Sequence, residues 1–484
     1  MMVEQSLLPS RRTLFNWFLF ILATKVLWLV LFTALRNPQW NPKLSVGTIG
    51  LYGGDSQTYY YPVEHLIETG EYYGMCRMPG VLPVYWPLRM FLSEVNAQQA
   101  IVVLQVIFDS VATLLLAILA ARLFASRGAF RATILLSCAT TFIALRNVYL
   151  LSDSFCISAL ITALFFLSSY FQSHRKSLLL YAGLFVAWAV FLRQITLLAA
   201  PIMGVMVLAH HWKDGKKTVQ AGLLLALPLV LSLGAWTLRN QITYGRNVVL
   251  VAPLDECMYN LTPELTAIRN LIITMGEDFQ PWSKGGGAYW FFNQPVNDRT
   301  QGPFTERHFT TGMHEGELVQ LRADYRALSE TSLTRSAHDS LQQSVVLRAT
   351  TFAEAYKNEH VWDYHVGNKI RFAQLFLFPG RIDDIPFPSV DKMNLVQKGI
   401  KAWSLVALWL VHALAMLVAA WWLIRKRSEL LLWAFLPFSF IAVLSYLGYI
   451  EQRYLATSFP FFILMIAGAF AQWKDRRSVN VQPR

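Results

Sequence analysis

What most limits the folds open to this chain is that its apolar residues come in runs long enough to cross a bilayer. The first, about Thr13 to Leu35, reads TLFNWFLFILATKVLWLVLFTAL, with one lysine and no acid. A hydrocarbon core takes roughly 20 such residues in a helix, and lipid forces the backbone to satisfy its own hydrogen bonds, which selects helices. The pattern recurs along the chain. Only 15% of the 484 residues are charged, against about a quarter in soluble domains. An all-α polytopic membrane protein with about ten transmembrane helices is expected.

Charge sets the orientation. Ser10-Arg11-Arg12 precedes the first run, and further basic clusters fall after alternate runs: Arg122, Arg127 and Arg131; Arg175-Lys176; Lys213, Lys216 and Lys217; Arg425-Lys426-Arg427; Lys474, Arg476 and Arg477. Cytoplasmic loops attract Lys and Arg, so the net charge of +12 reads as topology and not as a nucleic-acid surface. The first run is long and lacks a small-residue cleavage site, so it is expected to be retained as a span. Residues 1–240 should form a transmembrane core with an outer loop over 36–96. Residues 241–398 should form a mixed, partly helical extracytoplasmic domain, and 399–484 the last helices and a cytoplasmic tail. Within the outer domain, Leu318, Leu321, Tyr325 and Leu328 recur at helical spacing. The Gly- and Trp-rich PWSKGGGAYWFFNQP reads as loop, with a segment that grazes the membrane. Cys76 and Cys257 both lie outside the runs, which leaves a disulfide between them open.

The first outer loop holds the densest chemistry: LYGGDSQTYYYPVEHLIETGEYYGMCRMPGVLPVYWP, Leu51 to Pro87. Topology adds Arg146, Asp153, Arg193, Arg239, Glu451 and Arg453 to the same face. Charges at membrane depth usually face one another or a polar cavity, and arginines kept on the outer side suggest an anionic ligand, because guanidinium matches phosphate in a bidentate fork. Each residue also has a bland reading. Asp55 or Ser56 can cap a helix over Gln57–Glu68, and Asp153 can cap the fourth span. Arg146 can snorkel to the interface. Glu451 and Arg453 can form a structural ion pair, and Tyr59, Tyr60 and their neighbours an interfacial belt. No His/Cys cluster has metal-ligand spacing.

An early Gly-Asp-Ser, a Tyr-rich helix and Arg77-Met78-Pro79-Gly80 together resemble the first outer loop of GT-C membrane glycosyltransferases. The nearest branch is the bacterial one related to protein O-mannosyltransferases and the aminoarabinose lipid A transferase. Phe191-Leu192-Arg193-Gln194, Trp236-Thr237-Leu238-Arg239-Asn240 with Tyr244-Gly245-Arg246, and Glu451-Gln452-Arg453-Tyr454 agree in order. Gln194 departs from the Arg-Pro common in relatives at that place, and the bulk of the outer domain lies between spans 7 and 8 instead of after the last spans.

The resemblance implies a polyprenyl-phosphate sugar as donor and inverting transfer to an acceptor, lipid, glycan or protein, on the outer face of a bacterial inner membrane. Asp55 would be the general base and Asp153 a second catalytic carboxylate. Arg77, Arg193, Arg239 and Arg453 would bind the donor phosphate, with Tyr59, Tyr60, Glu451 and Tyr454 in support. A divalent ion held between carboxylates is the one cofactor left open. Two rivals remain: a flippase or transporter of lipid-linked sugars, disfavoured because the spans read as nearly free of acids at mid-depth, and a scaffold whose outer domain binds a partner.

Overall fold

The computed structural model describes residues 9–37, 49–252, 262–280, 285–293, 302–329, 334–382, 384–448 and 451–480. Among these residues there are helices and turns but no strand, only isolated bridges such as Leu51 with Tyr149. The all-helical expectation holds. Among the described residues, seven helices are long and apolar enough to cross a membrane, and two shorter apolar helices, Ser177–Leu192 and Phe459–Trp473, accompany them. The chain is an integral membrane protein.

In chain order the helices that matter for the site are α1 (Arg11–Ala34), α2 (Ser56–Thr69), α3 (Leu82–Arg89), α4 (Glu94–Leu123), α5 (Arg127–Ala139), α6 (Thr141–Arg146), α7 (Asp153–Ser173), α8 (Ser177–Leu192), α9 (Ala199–His211) and α10 (Gly215–Tyr244). They form part of one compact unit, Met1–Val251 with Leu377–Ile441 and Glu451–Arg484. Here α7 packs on α4 and α8, and α8 on α10.

The third expected span is broken. α5 ends at Ala139 and α6 starts at Thr141, with Thr140 extended at φ −88°, ψ 133°. A break at this depth strands carbonyls, and lipid offers them no donor. Two indoles supply it: Trp28 Nε1 donates to the carbonyl of Cys138 (3.2 Å) and Trp403 Nε1 to that of Ala139 (2.9 Å). Thr141 Oγ1 bonds Ser404 Oγ at 2.5 Å. The break is therefore stabilised by side chains from α1 and from Leu395–Ile424.

Arg146 does not snorkel. It is 1% exposed, lies with its guanidinium 5.0 Å over the Phe142 ring, and its Nη1 donates to Asp384 Oδ2 at 2.7 Å. Nor are the spans free of acids. Lys25 Nζ, inside α1, lies 2.6 Å from Asp109 Oδ2, inside α4, with side-chain exposures of 1% and 3%. Asn147 Nδ2 donates to the same carboxylate (2.7 Å), and Ser154 Oγ donates to Asn147 Oδ1 (2.5 Å). Neither charge reaches water, so each depends on the other. Removing one partner of a buried pair costs about 3–5 kcal/mol, whereas replacing both by apolar residues is often neutral. Asp109→Leu alone should therefore lower the melting temperature in detergent far more than Lys25→Met and Asp109→Leu together. Equal losses for the single and double variants would show that the pair is not what stabilises this layer.

The second compact unit comprises Ala252–Phe376 and Ala442–Ile450. Its core joins Pro263–Thr274, Glu315–Ala327 and Arg335–Glu359. Leu318 and Leu321 are buried there with Ile268, Leu271, Val345 and Tyr356, and Tyr325 and Leu328 pack against them, as their helical spacing predicts. Cys257 lies outside the described residues, as do 281–284 and 294–295 of the Gly- and Trp-rich stretch. The described part is not the loop expected but ends in a short helix, Gly287–Asn293, whose Trp290 and Phe291 are buried in this unit's core.

Candidate active site

The first outer loop is fastened before it is functional. Leu51 N–H donates to the carbonyl of Val148 (2.9 Å) and Leu150 N–H to that of Leu51 (2.8 Å), which sets the loop beside the turn leading into α7. Between α2 and α3, Glu64 accepts from Arg89 Nε (2.7 Å) and Nη2 (2.9 Å) and from the Tyr85 hydroxyl. Gly80 lies directly on the backbone of Phe191, where any side chain would collide, and its carbonyl accepts from Trp188 Nε1 at 2.8 Å. The Arg77-Met78-Pro79-Gly80 turn is thereby pressed onto the end of α8.

Asp55 occupies the N-cap position of α2 but does not cap it with its side chain. Its backbone is helical (φ −96°, ψ 0°), and no first-turn amide reaches its carboxylate. The local work falls to neighbours: Ser56 Oγ accepts from Gly53 N–H (2.7 Å), and Thr58 bonds the Asp55 carbonyl. The carboxylate is released toward arginines instead. Arg453 Nη2 lies 2.6 Å from Asp55 Oδ2 and Arg77 Nη2 lies 3.6 Å from it. Burial alone would push Asp55 upward; the Arg453 guanidinium, then that of Arg77, outweigh it and hold the carboxyl below its ordinary range.

Asp153 is likewise no side-chain cap. It is the first residue of α7, after Ser152, and its carboxylate pairs with Arg193. Arg193 follows the last residue of α8 with an extended backbone (φ −150°, ψ 109°) before the tight turn Gln194–Leu198. That break lets the side chain turn inward, where it is 7% exposed. Its guanidinium lies 5.3 Å from the Tyr454 ring and 5.8 Å from the Tyr59 ring, while Arg77 covers the same Tyr59 at 4.7 Å. Glu451 Oε2 accepts from Arg453 Nε at 2.6 Å. Eight residues from five stretches of the chain thus meet: Asp55, Tyr59, Arg77, Asp153, Arg193, Glu451, Arg453 and Tyr454. Each ring lies within reach of two guanidiniums, Tyr59 of Arg77 and Arg193 and Tyr454 of Arg193 and Arg453, and so offers them a π-face.

Two expected members stand apart. Arg239 donates to the carbonyls of Tyr72 and Gly74 (3.0 Å) and to Asn240 Oδ1 (2.9 Å), and lies over the rings of Tyr72, Trp236 and Tyr244. It pairs with no carboxylate among the described residues; its donors hold the loop's far end to α10. Tyr60 faces the edge of Tyr85 at 4.8 Å and is 2% exposed, so it belongs to the packing between α2 and α3 and not to an interfacial belt. Among the described residues, Asp55, Asp153 and Glu451 do not come together as a metal-ligand set, and each faces a guanidinium. Such a donor set does not fit a divalent ion without displacing an arginine.

Sequence reasoning missed two polar partners: Asp384 on Arg146, and the Arg381 carbonyl, which accepts from Gln452 Nε2. The signal for the second was present, since Gln452 lies inside the Glu-Gln-Arg-Tyr stretch already singled out.

Residues 82–236 match the family model for dolichyl-phosphate-mannose-protein mannosyltransferase. The resemblance to the GT-C glycosyltransferases holds. The matched GT-C segment takes in Asp153 and Arg193, and begins just after Arg77. No curated protein matches. Among solved structures, the chain is similar to the Archaeoglobus fulgidus oligosaccharyltransferase AglB in complex with an inhibitory peptide and a dolichol-phosphate (14% identity, TM-score 0.48, 97% of this chain and 52% of that one). The same organism's enzyme tethered to an acceptor peptide matches at 13% identity and TM-score 0.49, over 95% and 50% of the two chains. This chain spans about half the length of those proteins.

Proposed function

We propose that this protein is an inverting glycosyltransferase that moves a sugar from a polyprenyl-phosphate donor to an acceptor on the outer face of a bacterial inner membrane. The observation that carries the reading is the placement of Asp55 between Arg453 and Arg77, beside the Asp153–Arg193 pair. The family match supports the donor class, since its description names a dolichyl-phosphate sugar. Three arginines around one partly buried point suit a lipid phosphate, whose charge grows as the bond from anomeric carbon to phosphate oxygen breaks. Preorganised donors aimed at such charge are often a large catalytic term.

The chemistry then follows from competition for the same guanidiniums. With no donor bound, Asp55 is a weak base, because Arg453 and Arg77 stabilise its ionised form. A phosphate that draws those arginines to itself removes that stabilisation and adds a like charge nearby, so the basicity of Asp55 rises as substrate binds. Asp55 takes the proton from the acceptor hydroxyl, the acceptor oxygen attacks the anomeric carbon from the opposite face, and polyprenyl phosphate leaves onto the arginines. Asp153, held by Arg193, orients the acceptor.

This competition has a pH signature. In the free protein the folded pKa of Asp55 lies below its ordinary value. Ionisation there adds stability above the ordinary carboxylate range, and the contribution disappears as pH falls through the depressed value. The acid limb of kcat/KM reports the free enzyme and that of kcat the complex. The kcat limb should therefore lie at higher pH. Coincident limbs in purified protein would refute the exchange of arginines between Asp55 and phosphate.

Turnover of a polyprenyl-phosphate sugar by detergent-purified protein tests the reading as a whole. One observation favours a second reading: the Lys25–Asp109 pair lies at the depth where transporters keep their ionisable residues. Movement of intact lipid-linked sugar across vesicles without cleavage would establish that one instead.

A further inference from the structure

At the end of α7 remote from Asp153, three imidazoles converge. His174 closes α7 in the left-handed region (φ 55°), and His210 and His211 are the last residues of α9. One ring nitrogen from each of the three lies within 4.8 Å of the others, the only such group of metal-binding side chains among the described residues. α7 is 21 residues long, so this cluster sits about 30 Å along the helix from Asp153. Nothing in the glycosyl-transfer reading uses it.

We propose that His174, His210 and His211 bind a single late first-row divalent metal ion of the zinc class. Three facts support a ligand site over mere aromatic packing. The residues come from two helix ends and not from one stretch, so convergence is a property of the fold. The Tyr170 hydroxyl is hydrogen-bonded to His211 Nε2 at 2.8 Å, which fixes that ring and leaves its other nitrogen for an ion, as outer partners commonly do for ligating histidines. The rings also line a cavity of about 550 Å³ with Tyr170, Gln220, Lys176 and Lys217, which leaves room for water in the remaining coordination positions.

A tetrahedral zinc with nitrogen bonds of about 2.0–2.1 Å needs its ligands about 3.3 Å apart. Rotation of these accessible side chains by about an ångström closes the set. The lysines decide which ions qualify. Lys217 is engaged by Asp214 at 2.9 Å, but nearby ammonium groups still oppose a cation. Hard ions held mainly by charge, such as Mg²⁺, are excluded first, and ions with strong imidazole affinity remain, in the order Co²⁺, Ni²⁺, Cu²⁺ above Zn²⁺.

The test is metal titration of tag-free, full-length protein stripped with a chelator. Zn²⁺ binding is followed by competition with a colorimetric chelator, and Co²⁺ binding by its d–d absorption. Wild type should bind one equivalent, unaffected by excess Mg²⁺. His210→Gln, and His174→Asn, which tolerates the left-handed backbone, should each weaken Zn²⁺ by more than about 100-fold, and Tyr170→Phe by about tenfold. Unchanged melting temperatures of the metal-free variants establish that they fold. Absence of binding by wild type, or wild-type affinity in His174→Asn and His210→Gln, overturns the site. Both readouts are independent of sugar transfer, so failure here leaves the proposed function standing, and the converse.

Discussion

Asp55→Asn is expected to lower the transfer rate by about 10²–10⁴-fold, the range for loss of a general base, while leaving the protein folded. Asparagine has the size of aspartate but cannot accept the acceptor's proton. Folding should survive because the Asp55 side chain does no capping. The start of α2 is held by Ser56 on Gly53 and by Thr58 on the Asp55 carbonyl, both independent of the carboxylate. What is lost structurally is the ion pair with Arg453, 2.6 Å long, between side chains 22% and 17% exposed. Glu451 still engages that arginine through Nε, and Arg77, 30% exposed, loses a longer 3.6 Å pair but keeps the Thr58 hydroxyl on its Nε. The variant should keep its donor, since the arginines are then freer to meet phosphate. The decisive measurement is the initial rate with purified protein at saturating donor, alongside a thermal melt. Near-wild-type transfer by a folded Asp55→Asn protein would remove Asp55 from the chemistry.

Much of this was legible in the sequence because membranes make sequence simple. Long apolar runs specify helices with little ambiguity. The break at Thr140 was not legible, because it depends on Trp28 and Trp403 reaching the stranded carbonyls from distant helices, and hydropathy does not record such donors. The buried Lys25–Asp109 pair escaped for a related reason. A lone lysine in one run and a lone aspartate in another each look like an exception until packing joins them. At the site, the acids and arginines were identifiable from their positions at run ends. Their pairing was not: Asp153 with Arg193 and Asp55 with Arg453 are contacts of the fold. The cap reading of Asp55 failed because Ser56, one residue later, takes over the turn and frees the carboxylate. Arg239 was read as a phosphate ligand from its motif, yet backbone carbonyls of the first loop occupy its donors, a use of guanidinium that no spacing rule reveals.

Arg453→Ala should produce the largest loss of donor affinity, and it should harm the protein in a second way that separates it from Asp55→Asn. Arg453 is a fork between two carboxylates: Nη2 meets Asp55 and Nε meets Glu451, each at 2.6 Å. Truncation removes a phosphate ligand, leaves the partly buried Glu451 without its guanidinium, and leaves Asp55 with only the longer Arg77 pair. Breaking a buried charge pair by deleting one partner costs about 2–5 kcal/mol in binding, or roughly 30- to 4,000-fold at 1.4 kcal/mol per decade. With Arg453 gone, the strongest influence holding Asp55 below its ordinary pKa is gone too, so the acid limb of kcat/KM should move upward, toward that of kcat. Arg453→Lys tests whether charge alone suffices. One ammonium cannot reproduce donors at two ends of a planar fork, so lysine should restore part of the stability and little of the donor affinity. Binding is best measured directly, with a non-transferable polyprenyl phosphate, so that loss of chemistry is not mistaken for loss of ligand. Wild-type affinity in Arg453→Ala would place the phosphate elsewhere and reduce the Asp55–Arg453–Glu451 array to a structural clasp between the first loop and the turn before the last helix.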